Sequence, residues 1–178
     1  MTDTTQTTTL NTLIGTLLDS VDGYTKSAQD VDNPQLAERF NARARERQGA
    51  VASLQAAVAR LGGNPEDDGT VLGKTHRVFL NLKEAVTGRD DQAILNEVER
   101  GEDYLKGKFQ AALNNADLSP DARAAVEAAW TSVKAGHDEM SQLKHTLKGY
   151  EAGRADARQQ EYASQNAATR APGSTDTY

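Results

Sequence analysis

The stretch Leu95-Asn96-Glu97-Val98-Glu99-Arg100-Gly101-Glu102-Asp103-Tyr104-Leu105-Lys106-Gly107-Lys108-Phe109-Gln110-Ala111-Ala112 decides the fold class. Leu95, Val98, Leu105, Phe109 and Ala112 recur at the 3–4 spacing of a buried helix face, and Glu102 falls on the same stripe. Two other stripes carry similar interruptions. Leu36, Phe40, Ala44, Val51, Leu54, Val58 and Leu61 run past Arg47, and Val126, Trp130, Val133 and Met140 run past His137. A core position rarely accepts such residues unless they are paired or bind something. A polar site inside a helical assembly is therefore expected.

Local signals divide the rest of the chain. A further stripe of Leu10, Ile14, Leu17, Val21, Tyr24 and Ala28 predicts a first helix over about 8–30, after a polar, Thr-rich start (1–7) expected to be disordered. Asp32-Asn33-Pro34 ends it and opens a second helix over about 34–61, which Gly62-Gly63 stops. A short amphipathic helix is expected over 71–87, with Leu72, Val78, Phe79, Leu82 and Val86 on its apolar side. Long helices follow over about 91–114, behind Asp90 or Asp91, and 120–148, behind Ser119-Pro120. No β alternation occurs. Residues 151–178 form a polar tail expected to be partly helical and then disordered.

The fold class is all-α. Short connections make helices one and two, and helices three and four, antiparallel hairpins. The long segment between them can travel the length of a bundle, which is the ferritin-like pattern. That topology brings Asp22, Arg47, Glu102 and His137 to within about one helical turn of a common height. Glu46 and Glu99 flank the same layer.

Two readings of this layer stand side by side. In one, Asp22, Glu46, Glu99, Glu102 and His137 are ligands for iron or manganese, metals that favour carboxylate and imidazole donors. No Glu-x-x-His occurs in the chain: Glu46 is followed three residues on by Gly49, and Glu99 by Glu102. In the other, Arg47 neutralises Glu102 and His137 completes a structural hydrogen-bonded network. Arg39 and Arg43, one and two turns before Arg47, read as a solvated ion-pair face with Glu38 and Glu46. His76 is expected on the surface of the crossover.

Composition narrows the function classes. The 178 residues suffice for one domain with a core. A net charge of −6 argues against a nucleic-acid groove or an anionic membrane surface as the partner. The chain has no cysteine, so disulfides and thiolate chemistry are out. With no signal peptide or membrane span legible, a soluble cytoplasmic protein is expected.

Asp22-Gly23-Tyr24, Glu46-Arg47, Leu61-Gly62-Gly63, Gly73-Lys74-Thr75-His76-Arg77, Glu97-Val98-Glu99-Arg100-Gly101-Glu102-Asp103 and His137-Asp138 together resemble a bacterial family of ferritin-like four-helix-bundle proteins of unknown function. The resemblance covers about 10–148. It implies the ferritin-like topology with a helical crossover and, by fold analogy, a metal site; it implies no established activity. The expectation is a non-enzymatic interaction or stress-related protein, assembling as a dimer or with a protein partner. The alternative is an iron- or manganese-binding protein with oxidase or storage activity.

Overall fold

A computed structural model of the chain describes residues 3–67 and 90–169. They form four helices: α1 (Asp3–Asp30), α2 (Pro34–Arg60), α3 (Asp91–Leu113) and α4 (Pro120–Thr169). Among the described residues there is no strand. The expected crossover helix over 71–87, with His76, lies outside the described residues, as do 170–178 of the tail.

The helix starts follow from local chemistry. Asn33 accepts hydrogen bonds from the Gln35 and Leu36 amides at 2.9 and 3.2 Å, and Pro34 occupies the first turn, where its missing N–H costs nothing. Asp90 caps α3 through Gln92 N at 3.0 Å, and Ser119 Oγ accepts from Ala122 N at 3.2 Å. At the end of α2, Gly62 takes φ 75°, while Gly63 N donates to Val58 O and Gly62 N to Ala59 O. These paired bonds are a Schellman closure, which needs a left-handed residue. A Cβ on Gly63 would meet the Thr7 methyl at 2.6 Å, so the close approach of α1 also requires a glycine there.

Contacts at the helix ends fix their directions. The Asp91 carboxylate accepts from the Asp32 and Asn33 amides at 2.8 and 3.0 Å, placing the start of α3 beside the α1–α2 turn. At the opposite end, Asn11 exchanges hydrogen bonds with Asn64 O and Glu66 N, both at 2.9 Å. The chain thus leaves α2 at one end and enters α3 at the other. One apolar core is shared by all four helices, from Leu10, Ile14 and Leu17 through Leu54 and Val58 to Leu105, Phe109, Val126 and Val133.

Two boundaries differ from the sequence expectation. The helix begins at Asp3 instead of about residue 8, because Gln6 is buried and clamped: its amide donates to Asp117 O at 2.9 Å and its carbonyl accepts from Ser119 N at 3.0 Å. The threonines fold their hydroxyls onto the preceding turn, as Thr8 and Thr9 do onto Thr4 O and Thr5 O. At the other end α4 continues to Thr169, through Ala, Gln, Glu and Arg, which favour helix without needing a core. The chain divides into two compact units, 1–144 and 145–178. In the second, Asp156–Gln160 and Tyr162 are exposed. No helix among the described residues is long and apolar enough to cross a membrane.

Candidate functional site

The stripe of α2 carries Arg47 into the core and the stripe of α3 carries Glu102 to meet it. Both side chains are 1% exposed, and Arg47 Nη2 lies 2.5 Å from Glu102 Oε2. Ser20 of α1 donates a long hydrogen bond, 3.4 Å, to Glu102 Oε1. From α4, Ser132 Oγ and Val133 O stand 3.4 and 3.5 Å from the guanidinium. All four helices therefore supply the shell of one buried ion pair. Tyr24, 1% exposed, completes it from α1 and tilts against Phe40, with ring centroids 5.9 Å apart.

Gly136 of α4 closes the pocket. A Cβ there would stand 2.8 Å from Glu102 Oε2 and would strike the Arg47 guanidinium. The absence of a side chain at this position lets α4 lie directly over the charges.

Burial dominates the electrostatics. Loss of water pushes the Glu102 carboxyl above its ordinary value, and neither Arg47 nor the neighbouring hydroxyls fully reverse this. Burial likewise pushes Tyr24 well up, with the Glu102 charge adding to it. A sign follows for stability. With a folded pKa above the unfolded one, the folded state binds the extra proton. The unfavourable contribution of Glu102 is fully present above its folded pKa and is relieved as pH falls towards about 4.3, the unfolded carboxylate value. Urea melts between pH 7 and 4 should show wild type gaining stability relative to Glu102→Gln as pH falls. A relative loss would mean that Arg47 outweighs burial and holds the carboxyl low.

The other expected site residues are placed elsewhere. Asp22 is exposed. Glu46 is largely exposed and pairs with Arg43 Nη1 at 2.5 Å, while Glu99 pairs with Lys144. His137 does not hydrogen-bond to the Arg47–Glu102 pair. Its Nε2 meets Asp103 Oδ1 at 3.1 Å, its Nδ1 meets Asp138 Oδ1 at 3.0 Å, and Lys106 Nζ lies 3.3 Å from Nε2. The Asp138 carboxyl is held down at about 2, by hydrogen bonds from Lys134 and then His137. Arg39 and Arg43 both reach Glu139, at 2.7 and 2.5 Å, and tie the outer faces of α2 and α4 together.

This distribution decides whether the residues fit a metal. Of the five expected ligands, Glu102 is already neutralised by Arg47, and the other four point to separate partners or to solvent. Among the described residues, no group of three or more His, Asp or Glu is arranged to hold a metal ion. As placed, the set does not fit iron or manganese.

The buried stripe of α4 explains what the sequence reading missed. It runs Ala122, Val126, Ala129, Val133, Gly136 and Met140, in strict 4-3-4-3-4 steps. Trp130 and His137 each sit one residue past a small residue that holds the inward position. Bulk drew the eye to them. The signal for Gly136 was the spacing from Ala122, and for Ser20 it was its place between Leu17 and Tyr24.

Fold and site together define an all-α protein in which four helices close over one buried Arg–Glu pair. More specifically, the chain belongs to the family described as Domain of unknown function (DUF2383), whose model matches residues 5–115, more than half of the chain. The match takes in Ser20, Tyr24, Arg47 and Glu102 and ends before α4. No curated protein matches the chain.

Proposed function

We propose that this chain is a ferritin-like four-helix bundle, two antiparallel hairpins joined by a long crossover, that works as a non-enzymatic interaction protein in the cytoplasm. Its interior polar layer sets helix register; it does not perform chemistry. The topology is supported by the exit of α2 and the entry of α3 at opposite ends, since only a long crossover joins hairpins so placed. The observation that carries the functional reading is the enclosure of Glu102. Its carboxylate is sealed against Arg47 at 1% exposure, out of reach of a substrate. Buried ion pairs of this kind contribute little net stability but penalise every misregistered packing that separates the charges. Function then lies on the outer faces, and assembly with a partner or a second copy uses the crossover or the tail.

Elemental analysis of purified protein, before and after anaerobic loading with ferrous iron or manganese, tests the reading, with His137→Ala as control. The expected result is metal at background in both proteins. Near-stoichiometric metal in wild type that disappears in His137→Ala would replace this proposal with a ferritin-like metalloprotein and justify oxidase and storage assays.

A further inference from the structure

A helix in a small bundle turns one side to solvent, opposite its core stripe. Three of the four helices do so. Arg45, Gly49 and Ala52 of α2 are exposed, as are Asn96, Arg100 and Asp103 of α3 and Glu127 and Thr131 of α4. The exception is α1. Its stripe opposite Leu10, Ile14, Leu17 and Val21 runs Thr8, Thr12, Gly15, Asp19 and Asp22. Thr8 and Asp22 are exposed, but Thr12, Gly15 and Asp19 between them are half-buried, and none of residues 9–21 is exposed. The neighbouring helices hold the flanks of α1, where Thr7 approaches Gly63 at the end of α2 and Ser20 reaches Glu102 of α3. A Cβ built on Gly15 meets nothing within 4 Å, so neither flanking helix is packed against that point.

The path of the chain supplies an occupant for this face. Residues 68–89 leave from a point fixed on α1: Glu66 N donates to Asn11 Oδ1 and Asn11 Nδ2 to Asn64 O, both at 2.9 Å, while Gln55 of α2 donates to Glu66 O at 2.7 Å. The chain re-enters at Asp90, next to the Asp91 carboxylate that is bound to the α1–α2 turn. These two points lie at opposite ends of α1, so the connection must cover its length. From Asn11 to Asp30 that is about 28 Å at helical rise, well within reach of the segment. The segment also carries Leu72, Val78, Phe79, Leu82 and Val86 at helical spacing, apolar side chains that need a surface. We propose that residues 68–89 dock through these side chains on the outward face of α1, around Thr12, Gly15, Leu18 and Asp19, which makes α1 the central helix of the fold. Leu18, half-buried beside Gly15, gives the contact an apolar centre. The inference rests on the crossover topology proposed above and is independent of metal content. It spends the apolar side of the crossover within the chain, which leaves a partner its polar side or the tail.

The chain has no cysteine, and the site brings its own matched control. Gly15 and Gly49 both have open space around an added Cβ, but Gly49 lies on the exposed side of α2. Gly15→Cys and Gly49→Cys, each the single thiol of the full chain, are labelled with a maleimide at neutral pH. The expected result is fast labelling at Gly49→Cys and protection at Gly15→Cys. That protection is lost when Phe79→Asp and Leu82→Asp are added, while labelling at Gly49→Cys is unchanged. Equal rates in the two single variants would overturn the proposal. So would protection that survives the two aspartates, and its loss on dilution would then assign the face to a second copy of the chain. Methyl and aromatic NOEs on wild type keep the question decidable if the aspartate variant folds poorly. Cross-peaks from Leu18 to Phe79 or to its apolar neighbours in the segment are expected, and their absence would overturn the docking. The Asn33–Asp91 contact in the same spectra reports the topology itself, so a failure of the docking is distinguished from a failure of the bundle reading.

Discussion

Replacing Arg47 with alanine is expected to cost several kcal/mol of folding stability at neutral pH, on the order of 3–5. The reason is less the lost attraction than what remains. Glu102 would stand at 1% exposure with no cation beside it, and a cavity the size of an arginine side chain would open in the middle of the bundle. The stranded carboxylate has one escape, which is to take up a proton. Its pKa is raised even with Arg47 present, so part of the cost should return as the pH is lowered from 7 to 5. Removing both charges, as in Arg47→Met with Glu102→Leu, should recover most of the loss, because two apolar side chains of similar length need no desolvation of ions. Urea melts of the single and double variants at both pH values provide the check. A neutral Arg47→Ala would show that water reaches Glu102 and that the pair is not sealed. A double variant as unstable as the single would show that packing volume, not charge, sets the cost.

The same pair shows why part of this site was legible in the sequence. Arg47 and Glu102 are charged residues at positions where the 3–4 periodicity demands apolar ones, so each announced itself without any knowledge of its partner. The caps at Asn33-Pro34, Asp90 and Ser119 were legible for a related reason: they are settled by chemistry within four residues. What escaped was decided at long range. Gln6 gives no local hint that Asp117 and Ser119 will clamp it, so a helical N-terminus looked like a loose end. His137 looked central because it is large and titratable, yet the inward position belongs to its neighbour. Glycine contributes nothing to a hydrophobic pattern, and its importance appears only when the opposing side chains are in place. The acidic residues at similar height made a metal layer imaginable. Height along the axis, however, carries no information about azimuth, and azimuth separates Asp22 and Glu46 from Glu102.

Gly136→Ala turns that last point into an expected result of unusual sign. Inside a helix, glycine to alanine normally stabilises by up to about 1 kcal/mol, because alanine has less backbone entropy to lose. Gly107, exposed in α3 with nothing near an added Cβ, should follow that rule. Gly136 should reverse it. Its added methyl would stand 2.8 Å from Glu102 Oε2 and 3.3 Å from Arg47 Cζ, against two side chains that are each 1% exposed. Either α4 moves outward or the ion pair stretches, and overpacking of this kind costs about 1–3 kcal/mol before the lost propensity gain is counted. Thermal or urea melts of the two variants should therefore move in opposite directions from wild type. The mechanism has its own control. If the clash is with the guanidinium, Gly136→Ala should cost less in an Arg47→Ala background, where the methyl enters vacated space, and the double-mutant cycle should show coupling of about 1 kcal/mol or more. Strict additivity would place the cost in the α4 backbone instead. A stabilising Gly136→Ala would mean that α4 does not lie directly over the pair, and the enclosure of Glu102 would lose its lid.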